Sequence, residues 1–193
     1  IFQLSEASLM FGESGQILRN NIIMEYAFFG SLQDWMLSNG VFRWEFAIRY
    51  VTYPFIHLSF MQTLIATVMF LALGKMVCEI YNGFLFFALI FASSVSGAFF
   101  YGLILNDQFP LIGLFPAIYG LIGAYTYILW ASLRSVGAKS ANAFILVALL
   151  LGIQILFKFL FNGANDWIAD LFGFFTGFLF AFLTNLYLLK HSN

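Results

Sequence analysis

The chain has 193 residues, of which 62% are hydrophobic, 21% aromatic and only 9% charged, with a net charge of −1. A soluble domain carries about a quarter charged residues, and a chain of this length leaves too much surface exposed to hide so much apolar area. These numbers exclude a soluble enzyme, a disordered chain and a nucleic-acid binder, which needs a basic face; they specify an integral membrane protein built from helices.

Residues 1–53 come first and differ from the rest. They hold Arg19, Arg43 and Arg49 against Glu6, Glu13, Glu25, Asp34 and Glu45, so charge interrupts every apolar cluster before it reaches membrane-spanning length. Trp35, Trp44, Tyr50 and Tyr53 are amphipathic rings suited to the headgroup level. We expect a long extracytoplasmic loop with short helices lying in the interface, and a membrane core over 54–193.

Five apolar stretches are long enough to cross the hydrocarbon core, which takes about 20 residues. They run from about Pro54 to Ile80, Phe84 to Leu105, Leu111 to Leu133, Ala143 to Phe161 and Trp167 to Leu189. Asn82-Gly83, Asn106-Asp107 and Asn162-Gly163 mark turns between them. The short connections make neighbours antiparallel. The expected fold is therefore an all-α polytopic membrane bundle. Arg134 and Lys139 in one connection, with Lys190 at the end, place 134–142 and the C-terminus on the cytoplasmic side and residues 1–53 outside.

Small residues mark close helix packing in membranes. The third span carries Gly113, Ala117, Gly120 and Ala124 at spacings of four, three and four; the fifth carries Ala169, Gly173, Gly177 and Ala181 at spacings of four. We expect these two stripes to meet.

Candidate chemistry is sparse. Cys78 stands alone, which excludes an internal disulfide or a cysteine-rich metal site. A metalloprotease histidine pair is absent, and a two-aspartate mechanism lacks a second deep carboxylate beside Asp170. Ser93, Ser94 and Ser96 fit backbone bonding or tight packing. Lys75 and Glu79 can pair along one helix face, and Lys158 can snorkel. Asp170, an acid inside a span, is costly there; it falls on the small-residue side of its helix, three before Gly173, and should face the third span, with Gln62 as one hydrogen-bond partner.

Several segments together resemble the rhomboid intramembrane serine protease family. Gly113-Leu-Phe-Pro-Ala-Ile-Tyr-Gly-Leu-Ile-Gly-Ala124 resembles the family's Gly-x-Ser-Gly-Ala-x-x-Gly-Leu-x-Gly-Ala. Ala169-Asp-Leu-Phe-Gly-Phe-Phe-Thr-Gly177 resembles Ala-His-x-x-Gly-x-x-x-Gly. Arg49-Tyr-Val-Thr-Tyr-Pro-Phe-Ile-His57 resembles Trp-Arg-x-x-Thr-x-x-Phe-x-His, and Gln62 and Ala66 stand where the family has His and Asn. The resemblance runs from about residue 43 to 185. It implies six core helices, the first preceding Ile1 or ending in the Ile1–Phe11 stretch, with Arg49 organising an embedded loop and His57 in a structural role; it also implies Tyr119, whose family counterpart sits beside the catalytic histidine, as a hydrogen-bond partner of Asp170.

The resemblance also implies a lost active site. The nucleophile position is Phe115 and the general-base position is Asp170; the oxyanion-stabilising positions are Gln62 and Ala66. A phenyl ring has no nucleophilic atom, and losing the histidine removes the proton shuttle. Pro116, directly after Phe115, has no amide N–H and rearranges the turn that holds the oxyanion in the family. His191, near the C-terminus, lies on the expected cytoplasmic side, away from the position of the base. The expected function is a catalytically inactive member, a pseudoprotease that binds or stabilises other membrane proteins as a scaffold, accessory or quality-control subunit. The alternatives are an active protease using other residues, and a small carrier or channel. Expected partners are the lipid bilayer, in a bacterial inner membrane, and one or more membrane proteins; no nucleic acid, metal or small-molecule cofactor is expected.

Overall fold

The structure, a computed structural model, describes residues 2–3, 17–105, 109–161 and 165–191, with side chains for 17–105, 109–156 and 165–186. The side chains of Lys158, Lys190 and His191, and most of the Ile1–Phe11 stretch, lie outside the described residues.

In chain order the elements are β1 (Phe2–Gln3), α1 (17–26), α2 (Gly30–Asn39), α3 (Trp44–Ala47), α4 (Arg49–Thr52), β2 (Ile56–His57), α5 (Phe60–Cys78), α6 (Gly83–Ile104), α7 (Phe115–Ser135), α8 (Ile145–Phe161) and α9 (Trp167–His191). The fold is an all-α membrane bundle. Helices α5, α6, α7 and α9 are long and apolar enough to cross a membrane. Helix α8 has 17 residues and is entered through a 3-10 turn over Ser140–Phe144, so its helical run covers the fourth expected span.

Two helix starts differ from their expected positions. The first span does not begin at Pro54. That residue sits in a 3-10 turn over Tyr53–Phe55, and Ile56 is extended, so the chain restarts at Ser59. Ser59 caps α5 by accepting from the Gln62 amide at 3.1 Å. The third span does not begin at Leu111. Residues 111–114 precede α7 without helical structure, and Gly113 has φ +97°, a conformation closed to a helix and open to glycine. Helix α7 starts at Phe115 with Pro116 in its first turn, where a missing N–H costs nothing.

Helix α7 is the most buried of the bundle, and its contact with α9 is the most extensive. The two backbones touch. A Cβ at Gly177 would strike the Gly120 backbone, one at Gly173 the Pro116 backbone, and one at Gly123 the Phe174 carbonyl. Ala117, Ala124, Ala169 and Ala181 are fully buried along the same contact. Gly113 does not belong to this stripe, because it lies ahead of the helix in the turn just described.

Residues 26–57 form a cap packed on the C-terminal end of α6. Phe28 and Leu111 exchange backbone hydrogen bonds of 3.2 and 2.8 Å, and the Gly113 amide donates to the Tyr53 carbonyl at 3.1 Å. The Tyr53 hydroxyl donates to the Ser94 carbonyl at 2.9 Å. Burial pushes the Tyr53 phenol well above its ordinary range, so it stays a neutral donor. Arg49 ties the cap together: its Nη1 donates to the Ala27 carbonyl at 3.1 Å, and its guanidinium lies over the Phe29 and Phe46 rings at 5.8 Å. A lysine is a point charge and cannot bond and stack in this way. Arg49→Lys should therefore destabilise the protein by about 1–2 kcal/mol, read by thermal unfolding in detergent.

Lys75 and Glu79 do not pair. Both are exposed, and Glu79 lies beyond the last turn of α5, where only its amide bonds to the Lys75 carbonyl.

Candidate functional site

Three elements meet at one level inside the bundle. A Cβ at Gly97 of α6 would lie 2.8 Å from the Ala169 carbonyl oxygen and 2.9 Å from Pro116 Cβ. Gly97 is seven residues before the end of α6 at Ile104, a rise of about 10 Å. The start of α7 is therefore sunk below the end of α6. Phe115 occupies this recessed start, and Asp170, one residue beyond Ala169, stands in the first turn of α9.

Phe115 is half-buried and packs on an apolar cluster of Ala66, Ile118, Tyr119, Ile122, Val147 and Phe174. Two residues at positions that are polar in the resembled motif, Phe115 and Ala66, thus join one hydrocarbon interior. Gln62 stays at its edge. Its Nε2 lies 3.2 Å from where a Cβ would stand on Gly113, while its Oε1 accepts from the Leu58 amide at 2.8 Å. Ser59 and Gln62 form a variant of the capping box, so the glutamine is occupied in starting α5.

Asp170 is buried, and its Oδ2 accepts from Gln154 Nε2 of α8 at 2.8 Å. The expected partners, Tyr119 and Gln62, do not bond to it, and its hydrogen bond runs to α8 rather than to the third span. Gln62 is held at its cap, and α8 brings Gln154 to the carboxyl group instead. Tyr53 and Tyr119 lie within electrostatic reach of Asp170, but the Tyr53 hydroxyl is spent on Ser94. Asp170 Oδ1 and Gln154 Oε1 are both buried with no donor among the described residues. Gln154 is missing from the sequence reading. It is the one hydrogen-bonding side chain between Ile145 and Phe157, and that isolation is the signal that could have found it.

The remaining candidates do not assemble into a catalytic group. His57 is fully buried in β2, and neither ring nitrogen has a partner of hydrogen-bond geometry among the described residues. Burial holds its pKa below the ordinary value, so the ring is neutral at pH 7. Ser93 Oγ is buried against the Gly120 backbone without a partner among the described residues, and Ser96 Oγ shares a hydrogen bond of 2.6 Å with Thr176 Oγ1. Neither hydroxyl is bonded to His57 or Asp170. Among the described residues, no three His, Cys, Asp or Glu side chains converge on one point.

Residues 44–186, about three quarters of the chain, match the family described as the Rhomboid domain. The chain belongs to the rhomboid family. No curated protein matches it significantly. In this rhomboid domain the match begins at Trp44, so it takes in α3, α4 and β2 of the cap along with the bundle. The apolar helices and the family together make the chain an integral membrane protein.

Proposed function

We propose that this rhomboid is a catalytically inactive member, a pseudoprotease that holds other membrane proteins as a scaffold, accessory or quality-control subunit. The observation that carries the reading is Phe115 at the sunken start of α7, packed with Ala66, Tyr119 and Phe174. Acyl transfer needs a nucleophile and a base within hydrogen-bond reach of each other. A benzyl group supplies neither lone pair nor proton, and the carboxyl group of Asp170 is engaged with Gln154. A fold shaped to admit a membrane helix retains that surface after its chemistry is gone. Within the reading, the protein sits in a bacterial inner membrane. Residues 1–53 are then outside, and 134–142 and the C-terminus are cytoplasmic, in keeping with Arg134, Lys139 and Lys190.

Two measurements test the reading. The protein, gently extracted from its native membrane, should comigrate with at least one other membrane protein, and the purified chain should take up no fluorophosphonate probe. Specific probe labelling overturns the inactive assignment. Migration alone, at several detergent mildnesses, overturns the holding role.

A further inference from the structure

The hydrogen bond between α8 and α9 uses only half of what its two side chains offer. Asp170 is 1% exposed, and its Oδ2 accepts from Gln154 Nε2 at 2.8 Å. The remaining two oxygens, Asp170 Oδ1 and Gln154 Oε1, are buried with no donor among the described residues. Buried acceptors in folded proteins nearly always find a donor. Here both orphans belong to one bonded pair. An ionised carboxyl group only accepts, so it has nothing to give the amide oxygen. A carboxylic acid both donates and accepts, and so does a primary amide; the two are complementary.

Charge points the same way. Three ionisable side chains act electrostatically on Asp170 or feel it: Asp166, Tyr53 of the cap and Tyr119 of α7. None of them is basic. Helix α6 carries no charged residue, while Arg134 of α7 and Lys75 of α5 stand in the last turns of their helices, at the end away from Pro116 and the first turn of α9. In the cap, Arg49 is bonded to the Ala27 carbonyl and Arg43 to Glu45. Lys158 follows Gln154 by one turn of α8, and its side chain lies outside the described residues. A carboxylate buried among hydrocarbon without a counter-charge takes up a proton rather than stay ionised.

We propose that Asp170 holds a proton and shares it with Gln154, so that a neutral acid–amide pair joins α8 to α9. Oδ1 donates to Gln154 Oε1 while Oδ2 goes on accepting from Nε2, and no buried oxygen of the pair is left over. Helix α8 touches α7 and α9 only lightly, and among the described residues this is its one side-chain hydrogen bond to another helix. The proton does not depend on whether the protein cuts.

Infrared spectroscopy of the whole chain at neutral pH, in a detergent without carbonyl groups, tests this. A protonated carboxyl group has a carbonyl stretch above the amide band, and a carboxylate has none there. The wild type should show that band, and heavy water should shift it. Asp170→Asn should abolish it. Gln154→Leu should keep the band and move it to higher frequency, because the acid loses its partner. Lys158→Met should leave it unchanged. If a variant fails to fold, heavy-isotope labelling of the aspartate carboxyl carbons should displace the wild-type band without any substitution. A wild type that lacks the band overturns the proton: the carboxyl group is then ionised, and water, a cation or Lys158 supplies the missing donor. A band that survives Asp170→Asn, or that isotope labelling does not displace, overturns it too. A band that Gln154→Leu leaves in place overturns the sharing with Gln154.

Discussion

Gly177→Val should prevent the bundle from folding, while Gly152→Ala in α8 should stabilise it. Both positions are glycines in apolar helices, and intrinsic propensity alone favours a larger residue at either by about 0.5–1 kcal/mol. Contact decides the sign. A Cβ at Gly152 meets nothing within 4 Å, whereas one at Gly177 falls on the backbone of Gly120. Backbone cannot swing aside as a side chain can. Relief requires α9 to move away from α7 along the most extensive interface of the molecule, which also parts Gly173 from Pro116 and Gly123 from Phe174. We expect a loss above about 4–5 kcal/mol, enough to remove the folded state of a marginally stable domain. Thermal unfolding and monodisperse recovery from detergent read it directly. A Gly177→Val protein that melts with the wild type would mean that the two helices do not touch here.

Asp170→Asn should be tolerated, and Asp170→Leu should not. The wild-type pair makes one hydrogen bond and leaves two buried acceptors, Asp170 Oδ1 and Gln154 Oε1, without a donor. Asparagine brings an N–H that Gln154 Oε1 can accept while its own carbonyl accepts from Gln154 Nε2. Leucine fills similar space and strands the whole glutamine amide. Hydrogen bonds between membrane helices average about 0.6 kcal/mol, so the lost bond itself is the smaller part; the stranded amide is the larger. Together they set the gap between the Asn and Leu variants at about 1–3 kcal/mol. Gln154→Leu combined with Asp170→Leu should recover most of the difference, since two apolar partners leave nothing unsatisfied. Equal melting of the Asn and Leu variants would show that the pair does not tie α8 to α9.

Much of this architecture can be read from the residues because membrane helices announce themselves by length and apolarity, and the four-residue spacing of Ala169, Gly173, Gly177 and Ala181 leaves a groove that only another backbone can enter. What could not be read depends on backbone geometry or on partners distant in the chain. Pro54 and Leu111 look like helix starts in an apolar run, yet extended Ile56 and the positive φ of Gly113 delay α5 and α7 by several residues. The small size of Gly113 suggests packing, whereas its conformation makes it a turn. At the candidate site, the changed residues Phe115 and Asp170 stand out by type. The bond from Gln154 is hidden because it links residues sixteen apart whose meeting depends on how α8 leans on α9.

The sunken start of α7 has a cost that catalysis does not explain. Residues 111–114 run through the bundle at hydrocarbon depth without helical bonds of their own, and lipid offers their peptide groups no substitute for water. Phe28 and Tyr53 supply the missing partners, so the cap solvates this stretch of main chain much as water would. That duty persists whatever side chain stands at position 115. Whether or not the protein cuts, it cannot discard the segment that shields its interior peptides from the oil.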